Sequence, residues 1–282
     1  MSNGKPAFAR LRPKRASGLP RPQICFLIAR PRSGATVFNR MLGTNPDVMS
    51  FGEIFSESNP RSYYSFLQQR VADEPGAVVP SRATDNFMRY MEHCKHQALQ
   101  TNSSCELLLL GVKYDQAHLV CDPWWKLGQL PKLFFLMRDV PWKVIDIHRR
   151  NAARLCISNR IAVATRVYHL NPRTSERPQM AKIRVDPAEL GRDIEATQWA
   201  YEVVTRHFAG RPEYKRVYYE EMFDSSGEFS RPFIAEISAF LQVRDVFDAR
   251  PKLKKVLVED IFNYIENEDE VRQMIERQTA PD

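Results

Sequence analysis

The hydrophobic pattern of this chain switches repeatedly between two spacings. Ile24-Cys25-Phe26-Leu27-Ile28 is an unbroken apolar run that ends at a polar, glycine-containing turn, which predicts a strand buried on both faces. After the turn, Val37, Phe38, Met41 and Leu42 recur at helical spacing, and Gly43 with Asn45-Pro46 stops that helix. Residues 24–43 therefore predict strand, loop and helix, the opening half of a βαβ unit. Helices are predicted over 63–70 and 84–100, separated by a loop over 73–80. The leucine run that continues into Gly111-Val112 predicts a second buried strand over 107–112. A helix over 129–139, a third strand over 142–147 and a long helix over 152–168 follow. Beyond a proline-bearing polar loop over 171–188 come a helix from about 186 to 208, a short strand over 216–219, a helix over 231–241 and a charged amphipathic helix over 260–277.

Strands alternating with helices predict an α/β domain with a mainly parallel central sheet flanked by helices. There is no internal repeat, and the pattern predicts one P-loop-like α/β domain over 23–282. Residues 1–22 differ: they carry Lys5, Arg10, Arg12, Lys14, Arg15 and Arg21 with no acid, and are rich in Pro and Gly. They read as a disordered basic arm, either a solubilising tail or a nucleic-acid arm.

Composition narrows the picture. Of 282 residues, 43% are hydrophobic and 27% charged, which excludes wholesale disorder. No apolar run approaches the ~20 residues of a membrane span. The first twenty residues lack a secretory hydrophobic stretch, and five cysteines without close pairs suggest neither a disulfide framework nor a zinc site, so a reducing cytoplasm is expected. A net charge of +7 favours anionic partners. The arginines beyond the arm are interleaved with acids, which argues against nucleic acid.

The chemistry is expected at the first βα turn, since ligands of α/β sheets bind beyond the carboxyl ends of strands. That turn reads Ala29-Arg30-Pro31-Arg32-Ser33-Gly34-Ala35-Thr36. Laid on the Walker pattern, Gly34 and Thr36 match, but Ala29 stands at the first glycine and Ala35 at the lysine. Backbone N–H groups at a helix N-terminus and two hydroxyls still make a phosphate cradle, without the lysine that reaches β- and γ-phosphates. An ordinary ATPase or kinase is disfavoured. A plain tight turn with exposed arginines is the alternative.

The stretch from Phe26 to Thr36 resembles the 5′-phosphosulfate loop of sulfotransferases that use 3′-phosphoadenosine 5′-phosphosulfate (PAPS), closest to the bacterial branch that includes trehalose and nodulation-factor sulfotransferases. Asn45-Pro46 and Gly52-Glu53-Ile54-Phe55 follow at fitting spacing, then Gly111-Val112-Lys113. The stretch from Val144 to Asn151, with Ser158 nine residues after Arg149, is similar to the 3′-phosphate segment. Tyr218-Tyr219-Glu220, Phe240-Leu241 and Ile265-Glu266-Asn267 resemble later marks. The resemblance spans about 24–270. Ala35 departs from the usual Thr or Ser, Asn45 from the common His, and segments 56–106 and 170–195 match nothing.

The resemblance implies a P-loop-like fold, PAPS as cosubstrate, 3′,5′-ADP as product, no metal, and a hydroxyl acceptor on a carbohydrate, glycolipid or small natural product. By it, the loop with Arg30, Arg32, Ser33, Gly34, Ala35 and Thr36 holds the phosphosulfate end, with Arg32 as a catalytic residue neutralising the sulfate and the bridging oxygen. Arg149 or Arg150 with Ser158 holds the 3′-phosphate; the spacing to Ser158 favours Arg149, although neighbours at a strand end face opposite ways. Glu53, read as lying in a loop after the first helix, is the expected base and Asp115 its runner-up, with Lys113 at the sulfate. His148 reads as a core histidine. Lys252, Lys254 and Lys255 are candidates to close over the nucleotide, and Tyr63, Tyr64, Trp124 and Trp125 to line an acceptor groove. A homodimer is a family-level expectation. A non-catalytic anion-binding module and a kinase-like phosphotransferase are the rival readings.

Overall fold

After its first residue, every position of β1 (Gln23–Ala29) is buried, as its apolar run demands. The computed structural model describes residues 22–74, 76, 78–120, 128–168, 181–251 and 260–279. The basic arm through residue 21, Trp124, Trp125, most of the proline-bearing loop, and Lys252, Lys254 and Lys255 lie outside the described residues.

β1 is the middle strand of a five-stranded, all-parallel sheet. It pairs with β3 (Leu107–Lys113) on one side and β4 (Lys143–His148) on the other. β2 (Val48–Glu53) lies outside β3, and β5 (Tyr214–Tyr218) outside β4, so the order is β2-β3-β1-β4-β5. The chain builds leftward from β1 and then rightward, and the connections diverge at the carboxyl end of β1. Such a switch point opens a crevice for ligands.

Alternation along β1 feeds two cores. Ile24, Phe26 and Ile28 pack with Phe87, Tyr90, Phe134 and Phe208, carried by α3 (Ala83–Thr101), α4 (Lys132–Asp139) and α6 (Pro187–Phe208), and with Phe66 of α2 (Tyr63–Asp73). Cys25, Leu27 and Ala29 pack against α1 (Ala35–Leu42) and α7 (Arg231–Leu241). A third cluster joins α5 (Ala152–Thr165), the first half of α6 and α8 (Glu268–Thr279). Among the described residues, no helix is long and apolar enough to cross a membrane.

Four departures from the sequence reading have physical causes. β2 escaped the pattern because it is an edge strand, buried at only two of six positions. Glu53 consequently ends a strand and does not lie in a loop. The charged C-terminal helix breaks after a 3-10 turn at Ile261–Tyr264, because Ile265 is buried beside Ile183 and Asn267 exchanges hydrogen bonds with Val185 (3.0 and 2.8 Å). α5 ends at Thr165 because Arg166 turns left-handed. β5 ends one residue early, so Tyr219 leaves the sheet and starts a 3-10 turn.

Candidate functional site

The β1–α1 loop is tightened by Ser33, whose backbone N–H and hydroxyl both donate to the carbonyl of Arg30 (3.4 and 2.8 Å). Ser33 is fully buried, so its hydroxyl is committed within the loop. Arg32 and Gly34 stand at φ +66° and +94° on either side of it. A chain reversing its φ sign at successive residues turns its N–H groups to one side and makes an anion-binding concavity. Gly34 is required for a second reason: a Cβ there would lie 2.3 and 2.7 Å from the Tyr219 ring.

Gly34 caps α1 without a side-chain hydrogen bond, and the first helical turn carries no acid. The first intrahelical bond is Phe38 N–H to Gly34 C=O, at 3.1 Å. The N–H groups of Ala35, Thr36 and Val37 therefore have no acceptor within the helix, and they lie at its positive end.

Two arginines stand beside this turn. Arg32 donates from Nε to the Ser158 hydroxyl (3.3 Å) and from Nη1 to the Tyr168 carbonyl (2.5 Å). Arg149 donates from Nη1 to the Arg32 carbonyl (3.3 Å) and lies 4.9 Å over the Tyr219 ring. Its Nε is buried and has no hydrogen-bond partner among the described residues. Among the described residues neither forms an ion pair with a carboxylate. Burial, and next the charge of Arg149, hold Arg32 below the usual arginine range. Burial also lowers Arg149, against a smaller opposing effect of Tyr219. Two neighbouring half-buried cations with an orphaned donor, and with Glu220 acting on Arg149 only as a weaker, unpaired charge, make a site that an anion would stabilise.

Arg149 and Arg150 both follow β4 and take different partners. Arg150 is half exposed, pairs with Glu221 and lies 4.3 Å over Tyr218, turned away from the loop. Ser158, on α5, is buried and reaches Arg32 rather than Arg149. The turn into Arg149 rests on a buried polar network. Asp146 accepts hydrogen bonds from Tyr114, Tyr214 (2.8 Å) and His148 (2.9 Å), and His148 stacks on Tyr201 at 3.9 Å. The Tyr201 hydroxyl accepts from the Arg149 N–H (3.3 Å).

On the other flank of the loop a cavity of about 490 Å³ opens between α1 and the ends of β2 and β3. Ala35, Thr36, Glu53 and Lys113 line it. The Glu53 carboxylate forms an ion pair with Lys113 Nζ at 2.9 Å. Glu53 owes its position to a register shift between Ser50 and Glu53. That shift is fitted by Gly52 at φ +66° and by Gly111, where a Cβ would come 2.9 Å from the Gly52 carbonyl oxygen. Asp115 does not line this cavity. It lies in the 3-10 turn after β3, more than half exposed, and pairs with Arg30 (2.5 Å).

The chain is similar to two solved sulfotransferase structures. One is mouse sulfotransferase SULT7A1 complexed with PAP, at 12% identity over 93% of this chain and 86% of that one, with a TM-score of 0.43. The other is the sulfotransferase domain of the olefin synthase from Synechococcus PCC 7002, at 13% identity over 96% and 98%, with a TM-score of 0.39. No family model and no curated protein matches the sequence.

The structure brings Arg32, Gly34, Arg149 and Ser158 together on one flank, and Ala35, Thr36, Glu53 and Lys113 on the other. Arg30, Asp115 and Arg150 stand apart, each held in an ion pair. The sequence reading missed the part of Tyr219, which abuts Gly34 and underlies Arg149. It also missed Asn59, whose amide nitrogen donates to the carbonyls of Phe51 and Glu53 (2.6 and 3.0 Å). An asparagine in a polar loop is a turn signal, and nothing in the local sequence names its distant partners. Among the described residues no group of three or more His, Cys, Asp or Glu is arranged to hold a metal ion.

Proposed function

We propose that the chain is a PAPS-dependent sulfotransferase acting on a hydroxyl acceptor. The observation that carries this reading is the Arg32–Arg149 pair, two half-buried guanidiniums that form no ion pair among the described residues, beside the open N-terminus of α1. The orphaned Nε of Arg149 fits a phosphate oxygen, and Gly34 lets the Tyr219 ring pack against the loop beneath Arg149. PAPS, when bound, supplies the sulfuryl group and the 3′,5′-ADP leaving group.

Each residue then has a task. The N–H groups of Ala35 and Thr36 and the Thr36 hydroxyl donate to the 5′-phosphosulfate. Arg149 and Arg32 hold the 3′-phosphate by charge-assisted hydrogen bonds; the contacts of Arg32 with Ser158 and Arg149 favour this role over the one at the sulfate that the resemblance implies. Tyr219 supports Arg149 from below. Glu53 accepts the proton of the attacking hydroxyl, worth typically ~10²–10⁴-fold in rate. Lys113, whose Nζ is 2.9 Å from Glu53, supplies a positive charge at the transferred group. This division puts nucleotide recognition on the β4 flank and proton removal on the β3 flank, with the loop between them.

Calorimetric titration of 3′,5′-ADP, with ADP as control, tests the reading. Micromolar affinity that needs the 3′-phosphate, lost in Arg149→Ala and kept in Arg150→Ala, is the expected result. Equal binding of the two nucleotides would overturn it and favour a general anion-binding module.

A further inference from the structure

The cavity beside Glu53 carries more positive charge than its own carboxylate can balance. Its lining holds Arg40 of α1, Arg61 of the loop before α2, and Lys113, against the single carboxylate of Glu53. Lys113 is already paired with Glu53. Among the described residues, neither Arg40 nor Arg61 forms an ion pair, and both are exposed.

The position of Arg61 is built rather than incidental. Asn59 is the joint: its amide nitrogen binds the carbonyls of Phe51 and Glu53, and its amide oxygen accepts the backbone N–H of Arg61 at 3.0 Å. One side chain thus fastens the end of β2, which carries Glu53, to the start of the Arg61 loop. The Tyr90 hydroxyl fixes the same residue from below by donating to the Arg61 carbonyl (2.6 Å). The guanidinium lies 5.4 Å over the Phe51 ring, which limits its swing and leaves its N–H edge for a ligand. Arg40 enters the same space from α1, whose Asn39 is tied to β2 through the Ser50 hydroxyl (2.6 Å).

We propose that the acceptor is a small hydroxyl compound bearing an anionic group, a phosphate or a carboxylate, which Arg40 and Arg61 hold while its hydroxyl faces Glu53. The proposal rests on the sulfotransferase reading for the identity of the reaction but not for the anion site. A planar guanidinium matches either oxyanion bidentately, and two of them beside an apolar floor select a charged compound over its neutral analogue. The joint at Asn59 keeps the distance between the anion and the base constant, which is what orientation of a nucleophile requires.

Saturation-transfer NMR on the full chain tests this with glucose 6-phosphate, glucuronate and glucose as probes, alongside a separate titration of 3′,5′-ADP. The variants are Arg40→Gln, Arg61→Gln and the double substitution. Glucose 6-phosphate or glucuronate binds in preference to glucose, each single variant weakens that binding about tenfold, and the double variant loses it. The stronger of the two charged sugars identifies the anion class. Affinity for 3′,5′-ADP stays constant in all three variants. The proposal is overturned if glucose binds as tightly as the charged sugars, if neither charged sugar binds, or if the double variant retains the wild-type affinity. A loss of 3′,5′-ADP affinity in these variants also overturns it, since the arginines would then belong to the nucleotide pocket. Failure of the wild type to bind 3′,5′-ADP defeats the sulfotransferase reading alone, because the sugar titrations decide the anion site independently.

Discussion

Gly34→Ala should cost both stability and nucleotide affinity, and the structure says why the two are linked. The added Cβ meets two obstacles. The backbone stands at φ +94°, a left-handed conformation that costs an L-residue about 1–2 kcal/mol. The methyl also falls 2.3 Å from Tyr219 Cδ2 and 2.7 Å from Cε2. Those are ring carbons of a side chain held between the Arg149 guanidinium and Phe223 (ring centroids 5.4 Å apart), so relief requires the ring to move. Overpacking of this kind costs about 1–3 kcal/mol. The sum is about 2–5 kcal/mol, a large part of the stability of an ordinary domain. Because the displaced ring is the floor under Arg149, 3′,5′-ADP affinity falls as well, by about tenfold or more. Urea unfolding and calorimetry on wild type, Gly34→Ala, Tyr219→Ala and the double variant separate the two obstacles. In the Tyr219→Ala background the glycine substitution retains only the backbone cost, giving a favourable coupling of about 1–3 kcal/mol. Additive stabilities, or a Gly34→Ala protein within ~0.5 kcal/mol of wild type, would refute the steric argument. Unchanged 3′,5′-ADP affinity in an unstable Gly34→Ala protein would refute the link between Tyr219 and Arg149.

Three further outcomes follow from the geometry. Arg149→Ala weakens 3′,5′-ADP by about 10–100-fold in calorimetry, the loss of charge-assisted hydrogen bonds, whereas Arg150→Ala changes it less than about threefold because its partner is Glu221. Glu53→Gln lowers kcat by about 10²–10⁴-fold with 3′,5′-ADP affinity intact, and a base elsewhere would leave kcat unchanged. Lys143 gives a pH signature: burial lowers its ammonium from 10.5 to about 8, while it donates to the Phe240 carbonyl at 2.7 Å. The unfolded chain then binds more protons than the folded one between pH 8 and 10.5. Stability from this group is penalised by up to about 3 kcal/mol below pH 8 and recovers as pH rises to 10.5. Thermal unfolding across that window shows the rise in wild type and its loss in Lys143→Met; an identical slope in both proteins would refute it.

The parts of this molecule that are legible along the chain are those decided by neighbouring residues. β1, β3 and β4 announce themselves because burial on both faces leaves no room for polar alternation. The loop before α1 is readable because glycine and serine are what a tight turn onto a helix needs. β2 is not readable, since an edge strand with a register shift needs only two buried positions. The same limit governs charge. Arg30, Arg32, Arg149 and Arg150 are equivalent in a one-dimensional reading, and their difference lies in partners far away in sequence. Asp115 neutralises Arg30 across 85 residues and Glu221 neutralises Arg150 across 71, while Arg32 and Arg149 are brought together across 117 and, among the described residues, neither forms an ion pair. An arginine becomes a ligand-binding group by being denied a carboxylate, and that denial is a property of the fold. It arises where β1 and β4 run side by side, so that the residues following both strands share one rim. Of the acids in that neighbourhood, Asp146 is buried in a network of tyrosines and His148, Glu221 is drawn outward by Arg150, and Glu220, whose charge reaches Arg149 without an ion pair, accepts the Arg150 backbone N–H (3.2 Å). The buried network bears on the candidate site through Tyr201, which stacks on His148 and accepts the Arg149 N–H, so the backbone from which Arg149 projects is fixed by the same residues that hold Asp146.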